Sequence, residues 1–316
     1  MAVYTQVSAE ALGAFLARYD HGELLSAKGI AEGVQNSNYL VETTADRFIL
    51  TLHEERTSTE DLPFFLDMLD HLASDGNPVP RALPDRDGVA IQQLAGRSAC
   101  LIEFLTGVSV SHPTAAQAYA AGAAMGHMHT SLAGFAQTRA NPLGADTWQP
   151  FLARCGRAID LDRAGAVRPD RGRAGIGAGA VAARPADSSD SFGSFPDNVL
   201  MLGDRVTGVI DFYFACTDIR AYDLAVMHTS WAFDGNGENY NAAIGKALID
   251  GYAGQFALSD AERGALPILA RGACLRFLLT RAWDWLNTPA DALVTRKDPL
   301  AYWRRLEAYL KDDLFA

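Results

Sequence analysis

Residues 195–225 read FPDNVLMLGDRVTGVIDFYFACTDIRAYDLA, and this stretch decides the fold. Apolar runs on either side of Gly203-Asp204 predict a β-hairpin with that dipeptide as its two-residue turn. Asn198 stands where the first strand begins and Asp211 where the second ends. A tight hairpin returns the chain on itself, so these two side chains converge on one point. An amide oxygen and a carboxylate are hard donors, the kind that hold Mg²⁺ when nucleotide phosphates supply the remaining ligands. The hairpin is followed by Asp223-Leu224-Ala225 at the start of a helical pattern.

Around this hairpin the text is helical. Downstream, the apolar spacing predicts helices near 222–233, 240–256 and 260–287, and a last one from Pro299. Upstream, Thr114 caps an Ala-rich helix through Leu132, and another begins near Thr147. The first hundred residues differ. Ser8 caps a helix with Leu12, Phe15 and Leu16 on one face. Residues 22–30, 36–43 and 47–53 read as strands. Pro63 opens a helix to Ser74 with Phe64, Leu66, Leu69 and Leu72 available for packing, and Gly88–Phe104 reads as a hairpin. The expectation is an α+β protein of two lobes. A small antiparallel-sheet lobe covers 1–105 and a larger, mainly helical lobe 106–316.

Composition narrows the function. The 316 residues are 49% hydrophobic and 21% charged, with a formal net charge of −11 and no basic run. That pattern argues against nucleic acid and against an anionic membrane surface as partner. No apolar stretch is long enough to span a bilayer and the N-terminus lacks a secretory pattern, so the expected compartment is the cytoplasm. Cys100, Cys155, Cys216 and Cys274 are far apart and are read as reduced and unpaired.

The hairpin and its flanks resemble the aminoglycoside-phosphotransferase-like families of the protein-kinase-like superfamily. Their pattern is HxDxxxxN, a hairpin, IDFxxA and a DLA helix start. Asn198, Ile210–Ala215 and Asp223–Ala225 match it. Outside 164–194 the chain is similar to the bacterial homoserine kinase family. The shared stretches are KGIAEGVQNSNYLVETT (Lys28–Thr44), RFILTLHEER (Arg47–Arg56), DLPFFLDMLDHLA (Asp61–Ala73), FYFACTDIRAYDLA (Phe212–Ala225) and RFLLTRAWDWLNTP (Arg276–Pro289). The resemblance implies a two-lobed kinase-like fold, with ATP and Mg²⁺ as cofactors. It also implies transfer of phosphate to the hydroxyl of L-homoserine, on the route to threonine. Asn198 and Asp211 would be the metal ligands, Asp223 a structural brace or an ordinary helix cap. Gly33, Asn36, Ser37 and Asn38 would form the phosphate-covering loop, where glycine lets backbone N–H groups approach phosphate.

Two departures stand out. Thr51 occupies the strand position that carries a phosphate-binding Lys in protein kinases. Lys28 or Arg56 is a candidate replacement, and a solvated role is open for each. Counting back from Asn198, the catalytic Asp position is Gly193 and the His position Ser191. Glycine can neither accept the substrate proton nor orient the hydroxyl, a loss of about 10²–10⁴ in rate. Asp187 and Asp190 are near in sequence, but either would need the loop to slip register.

Gly193 falls in an anomalous segment. Of the 31 residues 164–194, eighteen are Ala, Gly or Arg and none is Leu. Two readings fit: a diverged flexible linker, or GC-rich DNA read out of frame. The second is compatible with the codons, since Ser191–Phe195 shifted by one base can give His-Ser-Asp-Leu before Phe-Pro-Asp-Asn.

For an amino-acid substrate, Arg281 and Asp284 lie at i and i+3 on the helix that also carries Arg276 and Trp285. A structural salt bridge is the competing reading. His127 and His129 are read as packing residues. A non-catalytic nucleotide-binding pseudokinase and a choline- or aminoglycoside-type kinase stand as alternatives, and the oligomeric state is open.

Overall fold

A computed structural model describes residues 5–30, 36–54, 58–155, 188–191, 195–287 and 297–315, and it divides into two compact units, one ending at Thr106 and the other starting at Gly107. The first unit opens with α1 (Ala9–Leu16), where the Ser8 side chain accepts from the Ala11 N–H at 3.2 Å. Three strands follow, β1 (Leu24–Gly29), β2 (Ser37–Thr43) and β3 (Arg47–His53). Then come α2 (Leu62–Ser74), β4 (Ala82–Leu83), β5 (Gln92–Leu94) and β6 (Arg97–Glu103). The sheet is antiparallel in the order β1-β2-β3-β6-β4, with β5 also paired to β6. Ala95 and Gly96 turn β5 into β6, both at positive φ, as a two-residue hairpin with right-handed strand twist requires.

Strict alternation on β2 sends Ser37, Tyr39, Val41 and Thr43 inward. Tyr39 and Val41 meet Phe48, Leu50 and Leu52 of β3, Ala99 and Leu101 of β6, and Leu12, Phe15 and Leu16 of α1 in one core. On α2 the buried residues are Leu62, Phe64, Phe65, Met68, Leu69 and Leu72, while Leu66 is only half-buried. The packing face is therefore rotated from the expected one and centred on Phe65 and Met68. Two adjacent phenylalanines leave the helical period ambiguous, and packing chooses between the registers.

The second unit contains α3 (Ala115–Leu132), α4 (Ala145–Cys155), β7 (Ser188–Ser191), β8 (Val199–Leu202), β9 (Arg205–Val209) and β10 (Cys216–Ile219). Four helices complete it, α5 (Arg220–Trp231), α6 (Ala242–Gln255), α7 (Asp260–Asn287) and α8 (Leu300–Lys311). Thr114 and Gln117 form a reciprocal capping box at the start of α3. Small residues let α3 and α6 approach closely. A Cβ on Gly122 would stand 2.2 Å from the Leu248 carbonyl oxygen, and one on Gly251 2.1 Å from that of Tyr119. Every residue of α5 from Ala221 to Thr229 is buried, so this helix is the axis of the unit's core.

All four cysteines are buried and free. Among the described residues no helix is long and apolar enough to cross a membrane. Residues 164–187 and 192–194 of the Ala/Gly/Arg-rich segment lie outside the described residues. Its remaining four residues form β7, antiparallel to β10 with Ser191 opposite Cys216.

Candidate functional site

The predicted hairpin is β8–β9, closed by Gly203 at φ +61° and Asp204. Pro196–Asn198 forms a single tight turn ahead of it, with the Asn198 N–H donating to the Phe195 carbonyl at 2.9 Å. One hydrogen bond beyond the Val199–Val209 pair, the Ile210 N–H donates to the Asn198 carbonyl at 2.9 Å. That bond sets Asn198 opposite Ile210, so Asn198 and Asp211 emerge at the same open end of the hairpin. Asn198 is half-buried and Asp211 is exposed to solvent.

Asp211 holds φ +68°, a left-handed conformation that is uncommon outside glycine. The neighbours over-determine it. Phe212 is buried, and the Ala215 N–H closes a turn onto the Phe212 carbonyl at 2.9 Å. Backbone strain of this kind is held where a side chain must be aimed. Although water reaches Asp211, enough protein crowds around it to push its carboxyl pKa up, and the Lys297 ammonium opposes that rise. Lys297 also pairs with Asp197, the residue before Asn198, at 2.9 Å. Among the described residues no group of three or more His, Cys, Asp or Glu could hold a metal by itself.

Asp223 sits in the first turn of α5, three residues past its start, so the ordinary-cap reading is replaced by a buried polar contact. Its Oδ2 lies 3.3 Å from His129 Nε2, and His129 Nδ1 lies 2.8 Å from the Tyr252 hydroxyl. All three are buried, and burial pushes the Tyr252 phenol up. His129 is thus packed as expected, while His127 is exposed, a correction that follows from its place on the outer side of α3.

In the first unit, Gly33 lies outside the described residues, as does Arg56. Asn36 and Ser37 are buried. The Asn36 amide oxygen accepts from the Glu54 N–H at 3.3 Å, and the Ser37 hydroxyl donates to Glu54 at 2.6 Å. Ser37 therefore faces the core side of β2, with its hydroxyl bonded to Glu54. Asn38 points the other way, where its amide oxygen accepts from Thr51 at 2.8 Å. Thr51 is buried at the expected β3 position, and Lys28 is exposed on β1.

On α7, Arg281 donates to the Asp298 carbonyl at 3.2 Å and lies 4.5 Å over the Tyr302 ring. Its burial lowers the guanidinium pKa. Asp284 and Trp285 are exposed one turn further on, and Arg276 lies over Phe277 at 4.6 Å. Arg281 thus anchors the segment before α8. Sequence reasoning missed Lys297 and the His129–Asp223–Tyr252 chain. Their partners are about a hundred residues away, and no local pattern points to them.

A family model described as a phosphotransferase enzyme family matches residues 26–188 and 194–258. The match breaks at 189–193, the interval holding both Ser191 and Gly193. A homoserine kinase of Zymomonas mobilis is 48% identical over 319 residues, covering 99% of this chain and 98% of the relative. One from Acidiphilium cryptum is 47% identical over 311 residues, covering 98% and 97%. Among solved structures, the amicoumacin kinase hAmiN, in complex with AMP-PNP and Ca²⁺, superposes with a TM-score of 0.68 at 14% identity, covering 97% of this chain and 95% of that one. A choline/ethanolamine kinase family protein from Mesorhizobium loti gives 0.63 at 18% identity, covering 95% and 92%. At such identities the structural likeness speaks for the fold, which is protein-kinase-like.

Proposed function

We propose that Asn198 and Asp211 are the metal-binding pair of an ATP-dependent kinase, since the chain belongs to the phosphotransferase enzyme family and, within it, to the homoserine kinases. By that membership its reaction is the phosphorylation of L-homoserine by ATP, and its substrate is a small molecule. The metal assignment is carried by one observation: a single hairpin, latched by the Ile210–Asn198 hydrogen bond, brings an amide and a strained, solvent-accessible carboxylate to one end.

Mg²⁺ is the cation this pair suits, and when bound it neutralises charge on the nucleotide's phosphate oxygens. The chain's own residues do the holding. Asp211 supplies the charge and Asn198 a neutral oxygen. Asp223 stands behind them as a brace, fixed through His129 and Tyr252. The loop through Gly33 and Asn36 is our candidate for covering the phosphates. There the buried Asn36 and Ser37 hold the loop's end to Glu54, and the contacts with phosphate fall to backbone N–H groups. For the substrate, Arg281 and Asp284 remain the proposed pair, with the guanidinium held beside Asp298.

The chain as written is impaired in this reaction. Glycine at 193 offers no carboxylate to orient the hydroxyl and take its proton. Resequencing the DNA across codons 163–195 separates a reading-frame error from a diverged linker. The matching assay compares L-homoserine, choline and an aminoglycoside as phosphate acceptors, using this chain and a version carrying His-Ser-Asp-Leu at 191–194. Turnover of L-homoserine restored by the replacement is the expected result. Choline turnover with none for L-homoserine would overturn the substrate, and an intact reading frame with no ATP turnover would favour a pseudokinase.

A further inference from the structure

The chain has four lysines. Lys28 is exposed on β1, Lys246 pairs with Asp250 along α6, and Lys311 ends α8. Lys297 differs from these three. It lies just before α8 and its ammonium contacts the Asp197 carboxylate at 2.9 Å, next to Asn198. A fixed scaffold holds it there. The neighbouring Asp298 receives Arg281 on its carbonyl at 3.2 Å and Arg304 on its carboxylate at 3.3 Å. The Asp298 carboxylate also caps the Leu300 N–H at 2.9 Å. Position 297 is therefore tied to α7 and α8, while its own side chain reaches Asp197, the residue before Asn198.

Strand β3 carries a buried Thr51 where kinases of this fold carry a phosphate-binding lysine, and Thr51 is committed to Asn38. We infer that Lys297 binds the terminal phosphoryl group of the nucleotide, supplying from the segment before α8 the cation that β3 lacks. The inference rests on Asn198 and Asp211 being the metal-binding pair. A flexible ammonium with three donors serves as a movable point charge for phosphate oxygens. Its present partner does not preclude that role. Both side chains of the Lys297–Asp197 pair are more than half exposed, 54% and 67%, and such pairs are weak. A doubly charged phosphoryl group competes well for the same lysine.

The test is calorimetric titration of the full chain with AMP-PNP and with ADP, each with Mg²⁺, for the unchanged protein and three variants. Lys297→Met should weaken AMP-PNP by about tenfold or more and change ADP by less than about twofold, since only AMP-PNP has a third (γ) phosphoryl group for the lysine to bind. Lys297→Arg should recover most of the loss. Asp197→Asn, which removes the ion pair but keeps the lysine, should leave the preference for AMP-PNP intact or raised. Unchanged melting of each variant would show that folding is unaffected. Equal weakening of both nucleotides, or a loss in Asp197→Asn matching that in Lys297→Met, would make Lys297 a structural tether and overturn the inference. A parallel titration with L-homoserine in which Lys297→Met weakens that ligand alone would assign the lysine to the substrate carboxylate, which also overturns it. If the unchanged chain bound neither nucleotide, the metal-site reading would fall and this inference with it. Binding of both without a change in their ratio would sink this inference alone.

Discussion

Asp211→Asn separates the two burdens this residue carries, charge for a ligand and strain on the fold. Protein crowded around this solvent-accessible side chain raises its carboxyl pKa, so the ionised form is less stable in the folded chain than in the unfolded one. The sign follows by linkage. For a carboxyl with a raised folded pKa, the ionised side chain costs stability once pH exceeds the unfolded value of about 3.9. Asparagine removes that cost and tolerates the left-handed backbone at φ +68°. The unliganded variant should therefore melt at or above the unchanged protein at pH 7, and the difference should vanish below about pH 4. Asp211→Ala keeps the strain without the tolerance and should melt lower than Asp211→Asn, by about 1 kcal/mol. Binding moves the other way. A nucleotide at 100 times its Kd stabilises by about 2.7 kcal/mol, a rise of roughly 5–10 °C for a unit of this size. The assay is a thermal melt with and without saturating Mg·ATP. The unchanged chain should show this rise and Asp211→Asn should not. An Asp211→Asn protein that kept the rise would refute the metal assignment. One that melted several degrees low without ligand would refute the account of strain and crowding.

Three further expectations follow from packing and ionisation. Gly122→Ala drives a methyl group toward the Leu248 carbonyl oxygen, 2.2 Å from the ideal Cβ position. It should cost about 1–3 kcal/mol in urea denaturation, and a loss near zero would mean that α3 and α6 separate freely. Asp223→Ala leaves buried His129 without its carboxylate and should cost about 1–3 kcal/mol, more than Asp223→Asn, which keeps an acceptor. Equal costs would show that the contact at 3.3 Å contributes nothing. Burial lowers the His53 pKa to about 4 and that of His228 to about 3. Unfolded histidine takes up its proton near pH 6.5, so their contribution is full above that value and is lost as pH falls toward 4. The urea midpoint should drop between pH 7 and 4.5, and His53→Gln should shrink the drop. A flat midpoint would contradict the burial of both rings.

What the sequence determined by itself was local. The turn at Gly203-Asp204, the caps at Ser8 and Thr114, and the apolar periods of the long helices each depend on residues within a few positions of one another. The placement of Asn198 and Asp211 at one end of a hairpin belongs to this class, because the hairpin that joins them also brings them together. Tertiary structure alone decided which of two adjacent phenylalanines centres the α2 face and that Ser37 turns inward to Glu54. It also decided that Asp223 meets His129 across 94 residues and that Lys297 reaches Asp197 across 100. Such contacts are set by how helices and loops dock, and no period along the chain records docking. The φ of Asp211 belongs with them. A left-handed aspartate is held by the turn and core around it, and the letters Ile-Asp-Phe carry no sign of that strain.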